Sequence, residues 1–177
     1  MPWDEAVKRP NCVTNRGITI DAPPRLIWPW LAQMGELPRG GFYSYDWIER
    51  LMGMKVCNAT RLLPQHQRVE VGQALDRTGN MLVKAAEPEH FLVLGPPDRV
   101  TQVKSTWTLG LYPIEAGPTR LVSRVRAHVA PTARGICLLL LLDPGQFLME
   151  RKMLLGIKQR AECSRRGPVR CRRSARP

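Results

Sequence analysis

Two stretches, Thr101 to Tyr112 and Thr119 to Val129, alternate apolar and polar residues over their whole length, and this alternation limits the possible folds more than any other feature. In the first, Val103, Trp107, Leu109 and Leu111 share one face, with Gln102, Lys104, Thr106 and Thr108 on the other. In the second, Leu121, Val125, Ala127 and Val129 oppose Arg120, Arg124, Arg126 and His128, of which Arg124 and Arg126, with His128 beside them, read as a solvated stripe. A period of two over such lengths describes half-buried strands. Shorter apolar runs at Arg61 to Leu63, Val69 to Leu75, Met81 to Ala86 and Phe91 to Leu94 are divided by turn-forming residues. Antiparallel strands joined by short turns follow from that punctuation.

A sheet with one apolar face needs a cover. Phe147 to Glu162 is the long amphipathic element available to supply it. At 100° per residue, Phe147, Glu150, Met153, Leu154, Ile157 and Ala161 fall on one side, while Arg151, Lys152, Lys158 and Gln159 point elsewhere. Upstream, Val13 to Ile20 reads as a strand ending at Asp21-Ala22-Pro23-Pro24, with Asp21 as helix cap and proline in the first turn. Ile27, Trp30, Leu31 and Met34 keep helical spacing, Pro29 should bend that helix, and Gly35 should stop it. After the link Pro38 to Gly41, Ser44 is placed to cap a second helix running through Met52, with Gly53 at its end. The fold class is α+β: a curved antiparallel sheet wrapped around a long C-terminal helix, with two short helices after the first strand.

At 177 residues the chain can bury one good core and shows no linker that would divide it. The expected organisation is an N-terminal extension at 1–12, one domain at 13–162 and a basic tail at 163–177. The formal charge of +12 suggests nucleic acid until it is divided along the chain. Six arginines of the tail, Arg165, Arg166, Arg170, Arg172, Arg173 and Arg176, carry half of it. The tail is too poor in apolar residues to order itself, so it reads as a solvated terminus, with grip on phosphates or an anionic membrane as the alternative. Five cysteines at irregular spacing, and no apolar leader in Met1 to Pro10, point to reduced thiols and a cytoplasmic protein. Ile136 to Leu142 is too short to span a membrane and is cut off by Asp143-Pro144-Gly145, so it reads as core or an interfacial segment.

The order of these elements, together with ITIDAPPRLIWPWLAQMG (18–35), GFYSYDWIERLMG (41–53) and FLMERKMLLGIKQRAE (147–162), resembles the SRPBCC, or START-like helix-grip, superfamily. The branch it is most similar to is that of bacterial polyketide cyclase/dehydrase-like proteins. The resemblance covers about Arg16 to Glu162. It implies a cavity between sheet and final helix, used across the superfamily for lipids, steroids, polyketides and other hydrophobic molecules. Catalysis is implied less strongly, because it is added to this fold by a few residues.

Glu150 is the odd member of the final helix's apolar stripe. An acid there must be paired, hydrogen-bonded, protonated or directed into a cavity. Its i−4 and i+4 neighbours are Gln146 and Leu154, so no helix-surface ion pair accounts for it. It is either a general acid/base or polar-ligand contact, or a structural carboxylate bonded to an arginine or a buried tyrosine or tryptophan. Tyr43, Tyr45 and Trp47 concentrate rings at a helix start, where they suit the mouth of an apolar pocket. Trp107, Phe147, Met153 and Leu154 are the candidate walls.

Isolated histidines at 66, 90 and 128 offer no metal spacing. There is no GxSxG, P-loop or GxGxxG, so no cofactor is expected, and no nucleic-acid signature appears. The expected function is binding of a small hydrophobic or amphipathic molecule, lipid- or polyketide-like. A cyclase/dehydratase-type enzyme using Glu150, with a tyrosine such as Tyr45 stabilising an enolate-like intermediate, is the alternative. Peripheral association of the tail with membrane or nucleic acid is a third reading.

Overall fold

The computed structural model describes residues 1, 4–7, 9–51, 53–97, 103–115, 117–129 and 133–166, and gives only the backbone of 133–144 and a few other positions. Five strands form one antiparallel sheet: β1 (Cys12–Ile20), β2 (Leu82–Glu87), β3 (Phe91–Gly95), β4 (Val103–Pro113) and β5 (Thr119–Val129), in the spatial order β1-β5-β4-β3-β2. Two short helices, α1 (Pro24–Ala32) and α2 (Asp46–Leu51), follow β1, and α3 (Ala133–Arg166) ends the described chain. The α+β class, the curved antiparallel sheet and the long terminal helix are as the alternation required.

Register decides which side chains face inward. Arg16 lies opposite Ser123, Ser123 opposite Leu109, and Leu109 opposite Leu92, so these four form one row across the inner face. The next row runs from Thr14 through Val125, Trp107 and Leu94 to Val83. Ile20, Leu121, Leu109 and Leu92 meet Ile27 and Leu31 of α1 and Met153, Leu154, Ile157 and Ala161 of α3 in one buried core. The stripe drawn on the helical wheel from Glu150 to Ala161 is therefore the packed face.

Several local expectations change. Asp21 does not cap α1, because the helix starts at Pro24 with Pro23 before it, and the Asp21 carboxylate pairs with Arg165 instead. The Ser44 hydroxyl donates to the Met149 carbonyl of α3 at 3.0 Å rather than capping α2. Residues 61–63 and 69–75 are not strands. Arg61 and Leu63 bond to the side-chain amide of Gln33, and Gly72, Gln73 and Leu75 make three backbone bonds with Val83 and Met81, the first of them at the positive-φ Gly72. Helix α3 runs through Asp143-Pro144-Gly145, since proline removes a single intrahelical bond from a segment already secured downstream. The side chains of Ile136 to Leu142 lie outside the described residues, as do residues 167–177 of the tail. Cys163, expected as a reduced thiol, is disulfide-bonded.

The outer face of the sheet is also covered in part. A short 3-10 turn at Asp4–Ala6 sets the Asp4 carboxylate 3.2 Å from Arg124 Nε and 3.9 Å from Arg126 Nη1. The arginines expected as a solvated stripe are thus half-buried ion-pair partners of the N-terminal segment.

Ile157 is fully buried at the centre of the α3 contact, whereas Leu155 points outward. Ile157→Ala is expected to cost about 2–5 kcal/mol in urea denaturation, and Leu155→Ala to stay within about 0.5 kcal/mol of the parent.

Candidate functional site

A cavity of about 500 Å³ opens between the inner face of the sheet, α2 and the first described turns of α3. Its walls are Phe42, Ser44, Ile48, Glu49, Met54, Met81, Trp107, Val125, Gly145, Gln146, Met149, Glu150 and Met153. Four of the chain's seven methionines are among them, so the wall is apolar and unusually adaptable. The volume lies inside the roughly 300–1,000 Å³ usual for small-molecule sites.

The segment joining α1 to β2 sets the position of α2, and it does so with side chains rather than with regular pairing. Buried Arg39 donates from Nε to the Met34 carbonyl at 2.6 Å and from Nη2 to Ala32 at 2.5 Å, satisfying carbonyls that α1 leaves open at its C-terminus. Asn58 donates to the Ser44 carbonyl at 2.8 Å and to the Asp46 carboxylate, and its own oxygen accepts from the Tyr43 N–H. These bonds hold Tyr43 at a φ of 60°, in the left-handed region. Gly53, at a φ of 85°, turns the chain out of α2.

Glu150 is 6% exposed. Arg16 Nη1 and the Ser123 hydroxyl each donate to one of its two carboxylate oxygens, and Trp107 Nε1 donates to Ser123 Oγ at 2.8 Å. The Arg16 guanidinium also lies 5.2 Å from the centre of the Phe147 ring. The chain of donors Trp107, Ser123 and Arg16 therefore saturates the acid. β1 supplies the arginine because its alternation puts Arg16 on the same face as Ile18 and Ile20.

Of the residues expected to surround a ligand, Trp107, Glu150 and Met153 come together on the cavity wall. The others are placed differently. Tyr43 is in the core, its hydroxyl donating to the Trp30 carbonyl at 3.0 Å and its ring under the Arg160 guanidinium at 4.6 Å. Burial pushes its ionisation well above the ordinary phenol range. Tyr45 is half-buried against Lys152, with Nζ 5.6 Å from the ring centre. Trp47 is 66% exposed and Phe147 47% exposed; Phe147 keeps the face of Glu150 one turn earlier, where its ring meets the Arg16 guanidinium. Leu154 is buried in the core and is not part of the cavity wall.

Sequence reasoning missed Glu49. It sits on α2, is 1% exposed and lines the cavity, and its Oε2 is without a hydrogen-bond partner among the described residues. Burial first, and the nearby Asp46 charge second, push its carboxyl up to about 7. An unsatisfied buried polar group costs about 1–3 kcal/mol, so its retention calls for an explanation. The available signal was its place one turn after Tyr45, on the side of α2 away from Arg50. Among the described residues no group of acids, histidines and cysteines is arranged to hold a metal, and no helix is long and apolar enough to cross a membrane.

No protein-family model and no curated protein matches the sequence. Solved structures do match in fold. A protein from Thermobifida fusca superposes with a TM-score of 0.53 at 11% identity, over 84% of this chain and 92% of its own. The Zhui aromatase/cyclase from Streptomyces sp. R1128 gives 0.52 at 13% identity, over 90% and 98%. The di-domain ARO/CYC BexL of the BE-7585A biosynthetic pathway gives 0.51 at 14%, over 88% of this chain and 48% of that longer one.

The chain has the helix-grip fold. Its structural neighbours include aromatase/cyclases, and at these identities the likeness is one of fold. In this helix-grip protein the two acids of the cavity differ in kind: Glu150 is paired and bonded at both oxygens, Glu49 is not.

That difference is measurable. Arg16→Met should destabilise the protein on the order of 3 kcal/mol in denaturant titration by leaving Glu150 buried without its cation, and the double variant Arg16→Met/Glu150→Leu should recover most of the loss. Glu49 behaves oppositely. Its folded carboxyl titrates near 7 against an ordinary 4.5, so the folded state holds the proton more tightly and stability falls as pH rises from 4.5 to 7. Glu49→Gln should therefore raise the melting temperature at pH 8, an effect on the order of 2 kcal/mol, and leave it unchanged at pH 4.

Proposed function

We propose that this helix-grip protein binds a small hydrophobic or amphipathic molecule, lipid- or polyketide-like, in the cavity between the sheet and α3. The observation that carries this reading is the cavity wall itself: about 500 Å³ bounded by Phe42, Ile48, Met54, Met81, Trp107, Val125, Met149 and Met153, with few polar groups converging on it. Apolar walls with a small number of placed polar groups are the general form of a small-molecule site. Thioether side chains adapt to ligand shape at little cost.

A cyclase/dehydratase-type enzyme acting on a polyketide-like substrate is the second reading, favoured by the fold shared with the Zhui aromatase/cyclase and BexL. Glu150 is poorly suited to the acid/base role expected of it, because Arg16 and Ser123 occupy both of its oxygens. A structural carboxylate accounts for it better. Tyr45 as stabiliser of an enolate-like intermediate has no support from its position beside Lys152, off the cavity wall. Tail-mediated membrane or nucleic-acid association rests on 163–177, of which 167–177 fall outside the described residues.

The test is to fill the cavity. Val125→Trp places an indole into the wall beside Trp107 and leaves Arg16, Ser123 and Glu150 themselves unchanged. Titration with the neutral fluorophore N-phenyl-1-naphthylamine should give saturable binding to the parent, weakened at least about tenfold in Val125→Trp, a difference of about 1.4 kcal/mol. Equal affinity in the two proteins, with the variant's fold confirmed by circular dichroism, places the probe elsewhere and ends the cavity reading.

A further inference from the structure

Resting on the cavity-binding reading, we infer that Glu49 is the polar anchor of the ligand: in its acid form it donates a hydrogen bond to an acceptor oxygen, such as a ketone or other carbonyl, of a molecule otherwise held by apolar contact. The geometry argues for it in three steps.

First, the Glu49 side chain is buried and reaches the cavity, and its Oε2 meets no donor among the described residues. The polar members of the wall, Ser44, Gln146 and Glu150, make no hydrogen bond to that oxygen, and Phe42, Ile48, Met54 and Met81 cannot hydrogen-bond it strongly. A molecule in the cavity is placed to supply the partner this oxygen lacks.

Second, the charged groups near Glu49 disfavour its anion. On its own helix stands Asp46, tied to Asn58 and 3.8 Å from Arg50 Nη2, whose guanidinium turns away to the Val56 carbonyl. Across the cavity on α3 stands Glu150, already neutralised by Arg16 of β1. The cavity-facing residues of β4 and β5, Trp107 and Val125, are uncharged, as are Met54 and Met81 of the loop. With no cation paired to it among the described residues, Glu49 holds its proton up to near neutral pH, where burial sets its titration at about 7. A protonated carboxyl donates one O–H, which selects an acceptor on the ligand.

Third, Glu150 cannot fill this role. Its oxygens are taken by Arg16 and Ser123; displacing Arg16 would strand a buried charge, and displacing Ser123 would leave a buried oxygen without its donor. The cavity therefore has one saturated acid that fixes structure and one unsaturated acid open to a ligand.

The experiment uses the full chain and 6-propionyl-2-(dimethylamino)naphthalene, a neutral ketone whose emission moves to longer wavelength when its carbonyl accepts a hydrogen bond. Affinity and bound emission are measured from pH 6 to pH 8.5 in the parent, Glu49→Gln and Glu49→Leu. Binding to the parent should weaken about tenfold across that range, following the loss of the proton. Glu49→Gln, whose amide donates at every pH, should bind with a flat profile, and the bound emission in Glu49→Leu should lie at shorter wavelength than in the parent at pH 6. Infrared difference spectra should show a protonated-carboxyl band in the ligand-free parent at pH 6 that is absent from Glu49→Gln, a readout independent of any probe. A profile shared by parent and Glu49→Gln, an emission unmoved by Glu49→Leu, or binding that tightens with rising pH overturns the inference. If the ketone and N-phenyl-1-naphthylamine both bind in the cavity with flat profiles, the anchor fails and the binding reading stands; if neither binds any of the proteins, both fail.

Discussion

The contact on which the rest of the molecule depends is the one between Glu150 of α3 and Arg16 and Ser123 of the sheet. Apolar packing alone would allow α3 to roll on the sheet by a fraction of a turn at modest cost, because dispersion and area burial are non-directional. A buried carboxylate allows no such freedom: its two oxygens must find donors, and the donors sit on adjacent strands in one register row. That requirement fixes the rotation of α3. With the rotation fixed, Met149 and Met153 turn toward the cavity, Ile157 and Ala161 toward the core, and Leu155 toward solvent.

The cavity is a consequence of how α2 is held. The chain between α1 and β2 has almost no regular pairing, so its backbone groups are satisfied by Gln33, Arg39 and Asn58 reaching across it. Each is a polar side chain that replaces a strand's worth of ladder bonds at one or two points. The arrangement leaves α2 standing off the sheet, tied to α3 through the Ser44 hydroxyl, with space behind it. Glu49 faces that space because Gly53 and the Asn58 bonds set where α2 begins and ends. One acid of the site is thus held by the sheet and the other by a loop, which is why their environments differ.

Much of the architecture was legible in particular residues. The alternation in 103–113 and 119–129, the helical spacing from Ile27 to Leu31, and the apolar stripe from Glu150 to Ala161 led to the strands, the first helix and the packed helix face, whereas the expected cap at Asp21 and stop at Gly35 were not kept: α1 begins after Pro23 and ends at Ala32, and Gly35 bridges to Gly41. The anomaly at Glu150 led to a buried place with a bonded partner. Other features were not legible, for reasons that are physical. Arg61 to Leu63 and Val69 to Leu75 have strand composition but bond to side chains and to an irregular turn, and composition does not record where a backbone bond goes. Tyr43 and Tyr45 belong to the same short segment, yet one is core and the other rim, because a single left-handed residue reverses their directions. Glu49 drew no attention because a glutamate in a short helix with polar neighbours reads as solvated until the other wall of the cavity is present.

By itself, the sequence determined the class of fold and the face of each long element, since those follow from periodicity, which is a local property carried by every residue in the element. The tertiary structure alone decided the partner of Glu150, the exposure of Trp47 and Phe147, and the burial of Glu49. Those depend on how a helix and a sheet far apart in the chain are rotated and set against each other, and it is the demand of a buried charge for its donors that sets them.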